Sequence, residues 1–340
     1  MITVTKPRYY YTFRCLASGC PDSCCHEWAV AVDPKAEALY RSLPGELGEE
    51  LRRYLTEEDG DTVLSLRPDG RCPMWRDDGL CRIQAEQGEE ALCDTCRNFP
   101  RLTHDYGSFL ERDLELSCPE AARLILLGED DLLTGEEPGG AEPEYEQDTM
   151  ALLLACREKA QALLRDPRYS TGEALAILLL YGSRVQNALD GGEEALLEPE
   201  KEREIAKKVA KKGKMDEILS FFENLELLTD RWPQRLKAPV PSPWTEGHRA
   251  IARYFVRRYW LQAVSDLDLY SRVKLTVVSC LVLKHLGGDL AETAQLYSKE
   301  IENNASNVDA LLDGAYTESC FADTALLGLL TNFAEGETSL

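Results

Sequence analysis

The chain lacks the sequence features of secreted and membrane-anchored proteins. Its N-terminal segment, MITVTKPRYYYTFRC, has no basic start followed by an apolar run and a small-residue cleavage site. Its most apolar stretch, residues 276–283, is far shorter than the ~20 residues that cross a bilayer. We therefore expect a cytoplasmic protein that has no membrane partner.

The familiar nucleotide and hydrolase motifs are also missing. The sequence has no glycine-rich G-x-G-x-x-G loop, no P-loop, no HExxH and no nucleophile elbow. Basic charge is scarce too, because the formal net charge is −22. Nucleic-acid binding depends on clustered Lys and Arg, so we expect no nucleic-acid partner. An acidic surface favours a basic or lysine-presenting partner, although it also serves solubility.

An acidic segment divides the sequence into two parts. Residues 129–148 contain nine acidic residues, no basic residue and two Pro-containing turns, which is typical of an exposed linker or loop. Residues 1–128 contain most of the cysteines and have few regular patterns. Residues 149–340 show apolar residues at three- and four-residue spacing, which predicts a helical bundle of seven or eight helices. The expected fold is mainly α, with a loop-rich cysteine metal-binding N-terminal domain and an all-α C-terminal domain.

Cysteine is what the chain has in excess. Nine of its twelve cysteines lie within the first 118 residues and share a clustered spacing. They are Cys15, Cys20, Cys24, Cys25, Cys72, Cys81, Cys93, Cys96 and Cys118. In a reducing compartment such clusters are more often metal ligands or catalytic thiols than disulfides. The C-x2-C spacing of Cys93 and Cys96 occurs in both zinc and iron–sulfur sites, so spacing predicts a metal without fixing its identity.

Other candidate residues are few. His26 follows Cys25 directly, and His104 follows the second cysteine cluster, so either histidine could ligate a metal or tune a thiolate. Single cysteines lie in apolar helical patterns at Cys156, Cys280 and Cys320, where we expect small core residues.

Three segments of the chain resemble the flagellin lysine N-methylase family, within a broader group of cysteine-rich zinc- or iron-chelating proteins. They are FRCLASGCPDSCCHEW, RCPMWRDDGLCRIQAEQGEEALCDTCRNFPR and ELSCPEAARL, and they occur in this order. The helical half is similar to the same family, most visibly at YFVRRYW, residues 254–260.

The resemblance implies an enzyme that transfers a methyl group from S-adenosylmethionine to surface lysines of flagellin. It also implies a [4Fe–4S] cluster, for which the nine clustered cysteines are the candidate ligands, with zinc as the alternative metal. A cubane takes four thiolates, so the other five are left for different roles. Aromatic residues flank both clusters and are candidates for a lysine slot: Tyr9, Tyr10, Tyr11, Trp28 and Trp75. The alternative is a non-enzymatic metal-binding protein that docks a partner.

Overall fold

The computed structural model describes residues 1–58 and 60–331. The strands are β1 (Ile2–Pro7), β2 (Val30–Ala31), β3 (Leu55–Glu58), β4 (Asp61–Leu64), β5 (Arg101–Asp105), β6 (Phe109–Leu114) and β7 (Leu132–Glu137). The helices of the first part are α1 (Arg8–Thr12), α2 (Pro34–Ser42), α3 (Gly45–Tyr54), α4 (Arg82–Gln87), α5 (Asp94–Asn98) and α6 (Pro119–Leu127). Those of the second part are α7 (Gln147–Arg165), α8 (Thr171–Leu189), α9 (Pro199–Val209), α10 (Met215–Glu223), α11 (Arg231–Lys237), α12 (Glu246–Tyr259), α13 (Leu269–Leu286), α14 (Leu290–Ile301), α15 (Ala305–Thr317) and α16 (Asp323–Thr331).

A four-stranded sheet in the order β5-β6-β1-β7 joins the N-terminus to the middle of the chain. Strand β1 is parallel to β6 and antiparallel to β7, and β5 is antiparallel to β6. Alternate residues Ile2 and Val4 of β1 are buried, as expected for a strand with one covered face. Leu114 at the end of β6 belongs to the same hydrophobic core as the helices of the second part. This sheet is therefore attached to the helical half.

A second, smaller core holds most of the cysteine-rich segment together. It contains apolar side chains from residues 30–93, including Tyr40, Leu51 and Met74, and the buried thiols of Cys72 and Cys93. The antiparallel sheet β2-β4-β3 and helices α2 and α3 surround this core.

The helical half is built around α13. Nearly every residue of this helix is buried, which is typical of the central helix in a bundle. Helix α8 begins with a capping box, in which Ser170 and Glu173 each accept from the other's backbone amide. Where α8 meets α13, a Cβ at Gly182 would lie 2.8 Å from Val273, so glycine permits this close approach.

The structure confirms the prediction of a mainly α fold, but not the loop-rich character of the first 128 residues, which contain strands and six helices among those described. The prediction of seven or eight helices in the second part was wrong, because the described residues there form ten; the helical run is interrupted between α9 and α10, for example, where apolar spacing is continuous. A Cβ at Gly213 between them would lie 2.4 Å from the carbonyl oxygen of Ala325.

The domain boundaries at 128 and 148 stay a prediction, and the structure adds that residues 132–137 within this segment form β7. In the ranges described, no helix is both long enough and apolar enough to cross a membrane.

Candidate metal centre

The nine N-terminal cysteines are positioned by short turns and helix starts. Cys20 closes a 3₁₀ turn, and Cys81, Cys93 and Cys118 each occupy the N-cap position of a helix. At such positions the backbone amides of the first helical turn point towards the thiol. Two of these amides, from Gln84 and Ile83, lower the pKa of Cys81 against the larger raising effect of burial. Helix starts thus provide donors that favour thiolate.

The nine thiols lie close enough for their charges to influence the pKa of one or more neighbours. The thiol of Cys25 is hydrogen-bonded to those of Cys24 and Cys72, and Cys93 is hydrogen-bonded to Cys96. Electrostatic interactions join these pairs to each other and to the remaining members of the nine. They link Cys96 to Cys25 and Cys72, Cys81 to Cys24 and Cys93, Cys118 to Cys20 and Cys24, and Cys20 to Cys15. All nine are free thiols in the described structure.

Within this group the proton affinities are uneven. The hydrogen bond with Cys96 lowers the pKa of Cys93 to about 7, despite burial. The same bond, together with burial, raises the pKa of Cys96 well above its ordinary value. The hydrogen bond with Cys25 lowers the pKa of Cys72. Cys93 and Cys72 are therefore the thiols most ready to be anionic, which is the form that binds metals.

The donor chemistry fits an iron–sulfur cluster or zinc. Both are held by thiolates, and a cubane takes four of them. In residues 1–58 and 60–331, however, no group of three or more Cys, His, Asp or Glu side chains has the arrangement of a preformed metal site. The structure brings the nine thiols into one region without fixing which of them would be ligands.

Backbone pairing holds the doubled cysteine against the second cluster. The amide of Cys72 donates to the carbonyl of Cys25 at 2.8 Å, and the amide of Glu27 donates to the carbonyl of Gly70 at 2.9 Å. Glu27 has a left-handed φ of 78°, which is uncommon for a residue with a side chain. This turn places Cys25 beside Cys72.

The C-x2-C pair is tied to helix α2. The two carboxylate oxygens of Asp33 accept from the amides of Ala36 and Asp94, at 3.0 and 2.8 Å. The buried hydroxyl of Tyr40 accepts from the amide of Cys93 at 2.9 Å. One carboxylate thus caps α2 and also fixes the start of α5.

Ion pairs attach the first cysteine cluster to the helical half. Lys299 of α14, only 2% exposed, lies 2.7 Å from the Glu27 carboxylate and 3.3 Å from that of Asp22. The amide of Gln295 donates to Asp22 at 2.9 Å, and Arg231 is 3.1 Å from the same carboxylate. Burial raises the pKa of Asp22, but Lys299 and Arg231 outweigh it and hold that pKa below its ordinary value. We name these five residues the clamp.

Sequence reasoning missed the clamp. Its members are ordinary charged or polar residues, and the two carboxylates are more than 200 positions from Lys299 and Arg231. The only sequence signal was the position of Asp22 and Glu27 among the first cysteines.

The two candidate histidines lie in different places. His26 is next to the first cluster, and its Nδ1 is 3.3 Å from the Glu27 carboxylate. Its ring is 6.0 Å from that of Trp75. His104 lies on β5, where burial, together with Arg258, lowers its pKa. His104 lines a pocket under α12.

The aromatic residues that flank the clusters lie in different places, although Tyr10 and Tyr11 pack edge-on against each other. The indole of Trp28 donates to the carbonyl of Cys24 at 2.8 Å and packs edge-on against Phe99. Tyr9 is 1% exposed and hydrogen-bonds Asp113 and Arg257 of the helical-half core. By contrast, Tyr11 is 50% exposed. The lone cysteines Cys156, Cys280 and Cys320 are buried core residues, as expected.

Comparison with known proteins identifies the family. No family model matches the chain, and no solved structure gives a significant match. The flagellar biosynthetic protein FliU of Salmonella muenchen is 30% identical over 156 residues, which are 40% of this chain and 84% of that protein. The lysine-N-methylases of Salmonella typhimurium and Salmonella choleraesuis are also 30% identical over 156 residues, but the match spans 35% of their length. The chain therefore belongs to the flagellin lysine N-methylase family, which includes FliU.

Proposed function

We propose that the chain is an S-adenosylmethionine-dependent protein-lysine N-methyltransferase that acts on surface lysines of flagellin in the cytoplasm. We also propose that its clustered thiols hold a [4Fe–4S] cluster. The observation that carries the proposal is that all nine clustered cysteines are free thiols, several of which shift one another's pKa, in a member of this family. The names of the lysine-N-methylase relatives support the reaction, and the name of FliU supports a flagellar substrate.

Methyl transfer to lysine makes a definite chemical demand. The amine nitrogen forms a bond to the methyl carbon while the bond from that carbon to the sulfonium sulfur breaks, and its electrons stay on sulfur. Only the neutral amine can attack, and lysine has a reference pKa near ~10.4. A site that removes water from the ammonium or places a carboxylate beside it promotes loss of the proton. The net charge of −22 favours encounter with lysine-bearing surfaces.

The nine clustered cysteines would supply the four thiolates of a cubane. When bound, such a cluster would cross-link the loops that contain the thiols. The chain's own residues already prepare this arrangement, because Asp33 and Tyr40 fix the C-x2-C pair and the clamp fixes the first cluster. A ligand set that includes Cys118 and a cysteine of residues 15–25 would also join α6 to the first cysteine cluster.

The test is reconstitution without oxygen. Iron, zinc and acid-labile sulfide are measured on the purified protein, which is then incubated with S-adenosylmethionine and flagellin. We expect iron and sulfide in equal amounts and a methylated lysine detected by mass spectrometry. Cys25→Ser should lower both iron content and methylation. The matched control Cys280→Ser, in buried helix α13, should change neither.

A second candidate is a non-enzymatic metal-binding protein that docks a partner. The observation in its favour is the share of each relative that the match covers, which is 84% of FliU but only 35% of the lysine-N-methylases. The chain thus resembles most of FliU but only about a third of the proteins that are named for the methylation reaction. This candidate predicts a colourless protein that contains zinc and transfers no methyl group. Iron and sulfide with methyl transfer would exclude it.

A further inference from the structure

Two tyrosines of helix α1 hold an ammonium group between them. The rings of Tyr10 and Tyr11 pack edge-on, with centroids 6.0 Å apart and planes at 77°. The Nζ of Lys6 lies 5.5 Å from the centroid of Tyr10 and 5.7 Å from that of Tyr11, and both distances allow cation–π attraction. The same Nζ donates to the carboxylate of Glu137 on β7 at 2.8 Å. Two rings and one carboxylate thus converge on a single nitrogen, and we name these three side chains the aromatic corner.

The carboxylate of the aromatic corner does not depend on Lys6 for its position. Arg112 of β6 donates to both oxygens of Glu137, at 3.0 and 2.7 Å. A bidentate pair of this kind fixes the orientation of the carboxylate as well as neutralising its charge. If the Lys6 ammonium left, the acceptor would therefore stay in place beside two rings that pack on each other.

The aromatic corner can be reached from solvent. Tyr11 is 50% exposed, and the side chain of Lys6 is 14% exposed. The ion pair between Lys6 and Glu137 is therefore partly solvated, and partly solvated pairs contribute little free energy. A cation from another molecule can compete with Lys6 at a modest cost, so Lys6 is a replaceable occupant of the site.

The chemistry of the aromatic corner suits a cation that stays charged. The faces of two rings favour an ammonium over the neutral amine. The hydrogen bond from Lys6, together with Arg112, lowers the pKa of Glu137, so this carboxylate is a poor proton acceptor. The corner is therefore unsuited to the reacting amine of a methyl transfer, which must first lose a proton.

Methylated lysine meets these requirements. It remains a cation at neutral pH, and its methyl groups enlarge the contact with the ring faces, as in the aromatic cages that bind methylated ammonium groups. Mono- and dimethyl-lysine also keep an N–H that can donate to Glu137. Trimethyl-lysine has no such N–H, so the carboxylate gives the corner a preference for the lower methylation states.

We propose that the aromatic corner binds a mono- or dimethylated lysine of the substrate protein, which displaces Lys6. The inference rests on the proposed function, because methyl transfer to lysine supplies the ligand. Helix α1 ends at Thr12, three residues before Cys15, so the corner lies close in the chain to the first cysteine cluster. Holding one methylated lysine there raises the effective concentration of neighbouring lysines of the same partner.

The test is direct binding of a fluorescent peptide, measured by anisotropy on protein purified without oxygen. The peptide contains dimethyl-lysine, trimethyl-lysine or norleucine at one position. Lys6→Ala empties the corner and should tighten binding of the dimethyl peptide by about tenfold, because the ion pair and cation–π contacts of Lys6 no longer compete. The trimethyl and norleucine peptides should bind this variant less tightly than the dimethyl peptide.

A second variant tests the corner without emptying it. Tyr11→Leu, at a half-exposed ring, should weaken binding of the dimethyl peptide, and it should cancel the gain when it is added to Lys6→Ala. Two matched controls should leave the affinity unchanged. Lys201→Ala removes a 58%-exposed lysine that pairs with Glu198, and Tyr316→Leu removes a 60%-exposed ring on α15.

The outcomes separate the inference from the proposed function. Equal affinity of the wild type and Lys6→Ala for the dimethyl peptide would overturn the inference. Equal binding of the dimethyl and norleucine peptides would also overturn it, because the site would then not recognise a cation. Methyl transfer to flagellin is measured in parallel on the wild type. Transfer without binding at the corner removes the inference alone, whereas binding at the corner without transfer counts against the proposed function alone.

Discussion

Replacing Lys299 with methionine should destabilise the protein more than any change to a surface ion pair. Lys299 is 2% exposed, and it neutralises Asp22 and Glu27, whose side chains are each 15% exposed. Its removal leaves two partly buried carboxylates with Arg231 as the remaining cation, and that arginine is 47% exposed. Breaking a buried ion pair costs about 3–5 kcal/mol. Because the carboxylates retain some solvent, we expect about 3 kcal/mol.

The assay is urea unfolding of protein purified without oxygen, followed by tryptophan fluorescence. The control is Arg41→Met, which breaks the pair with Glu37 on helix α2, where the arginine is 51% exposed. That change should cost less than ~0.5 kcal/mol. Adding Glu27→Gln to Lys299→Met should restore part of the loss, because it removes one of the unpaired charges.

The reasoning is refuted if Lys299→Met and Arg41→Met unfold at the same urea concentration. It also fails if Glu27→Gln worsens the double variant, since the unpaired charge would then not be the cause. A second readout is the metal content. We expect less bound iron in Lys299→Met than in Arg41→Met, because the clamp holds the first cysteine cluster in place.

Three further predictions concern separate parts of the fold. Burial, together with Lys284, lowers the pKa of His248 from 6.5 to about 4. As the pH falls from 6.5 to 4, the unfolded chain therefore takes up a proton on His248 that the folded chain does not bind. The free energy of unfolding should drop by up to about 3 kcal/mol in that pH range. His248→Gln should remove this pH dependence, and an unchanged profile would contradict the assignment. Gly182→Ala should destabilise the protein by about 1–3 kcal/mol in thermal unfolding, because the added methyl group would overpack the contact with α13. A variant more stable than the wild type would contradict this, since α8 and α13 could then separate without cost. Tyr40→Phe should cost about 1–3 kcal/mol because the amide of Cys93 loses its acceptor, and a urea midpoint equal to that of the wild type would contradict this.

The sequence predicted the helical half well and the four-stranded sheet not at all. Helices such as α7, α8 and α13 are long, and their apolar spacing is a local signal. Strand β7 was not predicted because it lies in an acidic segment whose composition is typical of a linker. Its Glu137 is neutralised by Lys6 of β1 at 2.8 Å and by Arg112 of β6 at 2.7 Å. Those cations lie far away in sequence, so no local pattern could predict the pairing.

The sequence likewise predicted only part of the candidate site. Cysteine spacing predicts a soft-metal site, which stays a prediction, whereas the three lone cysteines of the helical half were correctly assigned to the core. The clamp and the pocket under α12 were not predicted. Their charged residues resemble any solvent-exposed residue until a partner from a distant segment is placed beside them.

The sequence by itself determined the chemistry available to this protein: clustered soft donors, an excess of negative charge and a run of amphipathic helices. These follow from residue type and short-range spacing. Only the tertiary structure decided that Cys20 and Cys24 lie near enough to raise the pKa of Cys118, and that Lys299 pairs with Asp22 of the first cluster from α14. Both interactions join segments that are far apart in the chain. The free energy of such contacts depends on burial and on the packing of whole elements, which local spacing does not encode.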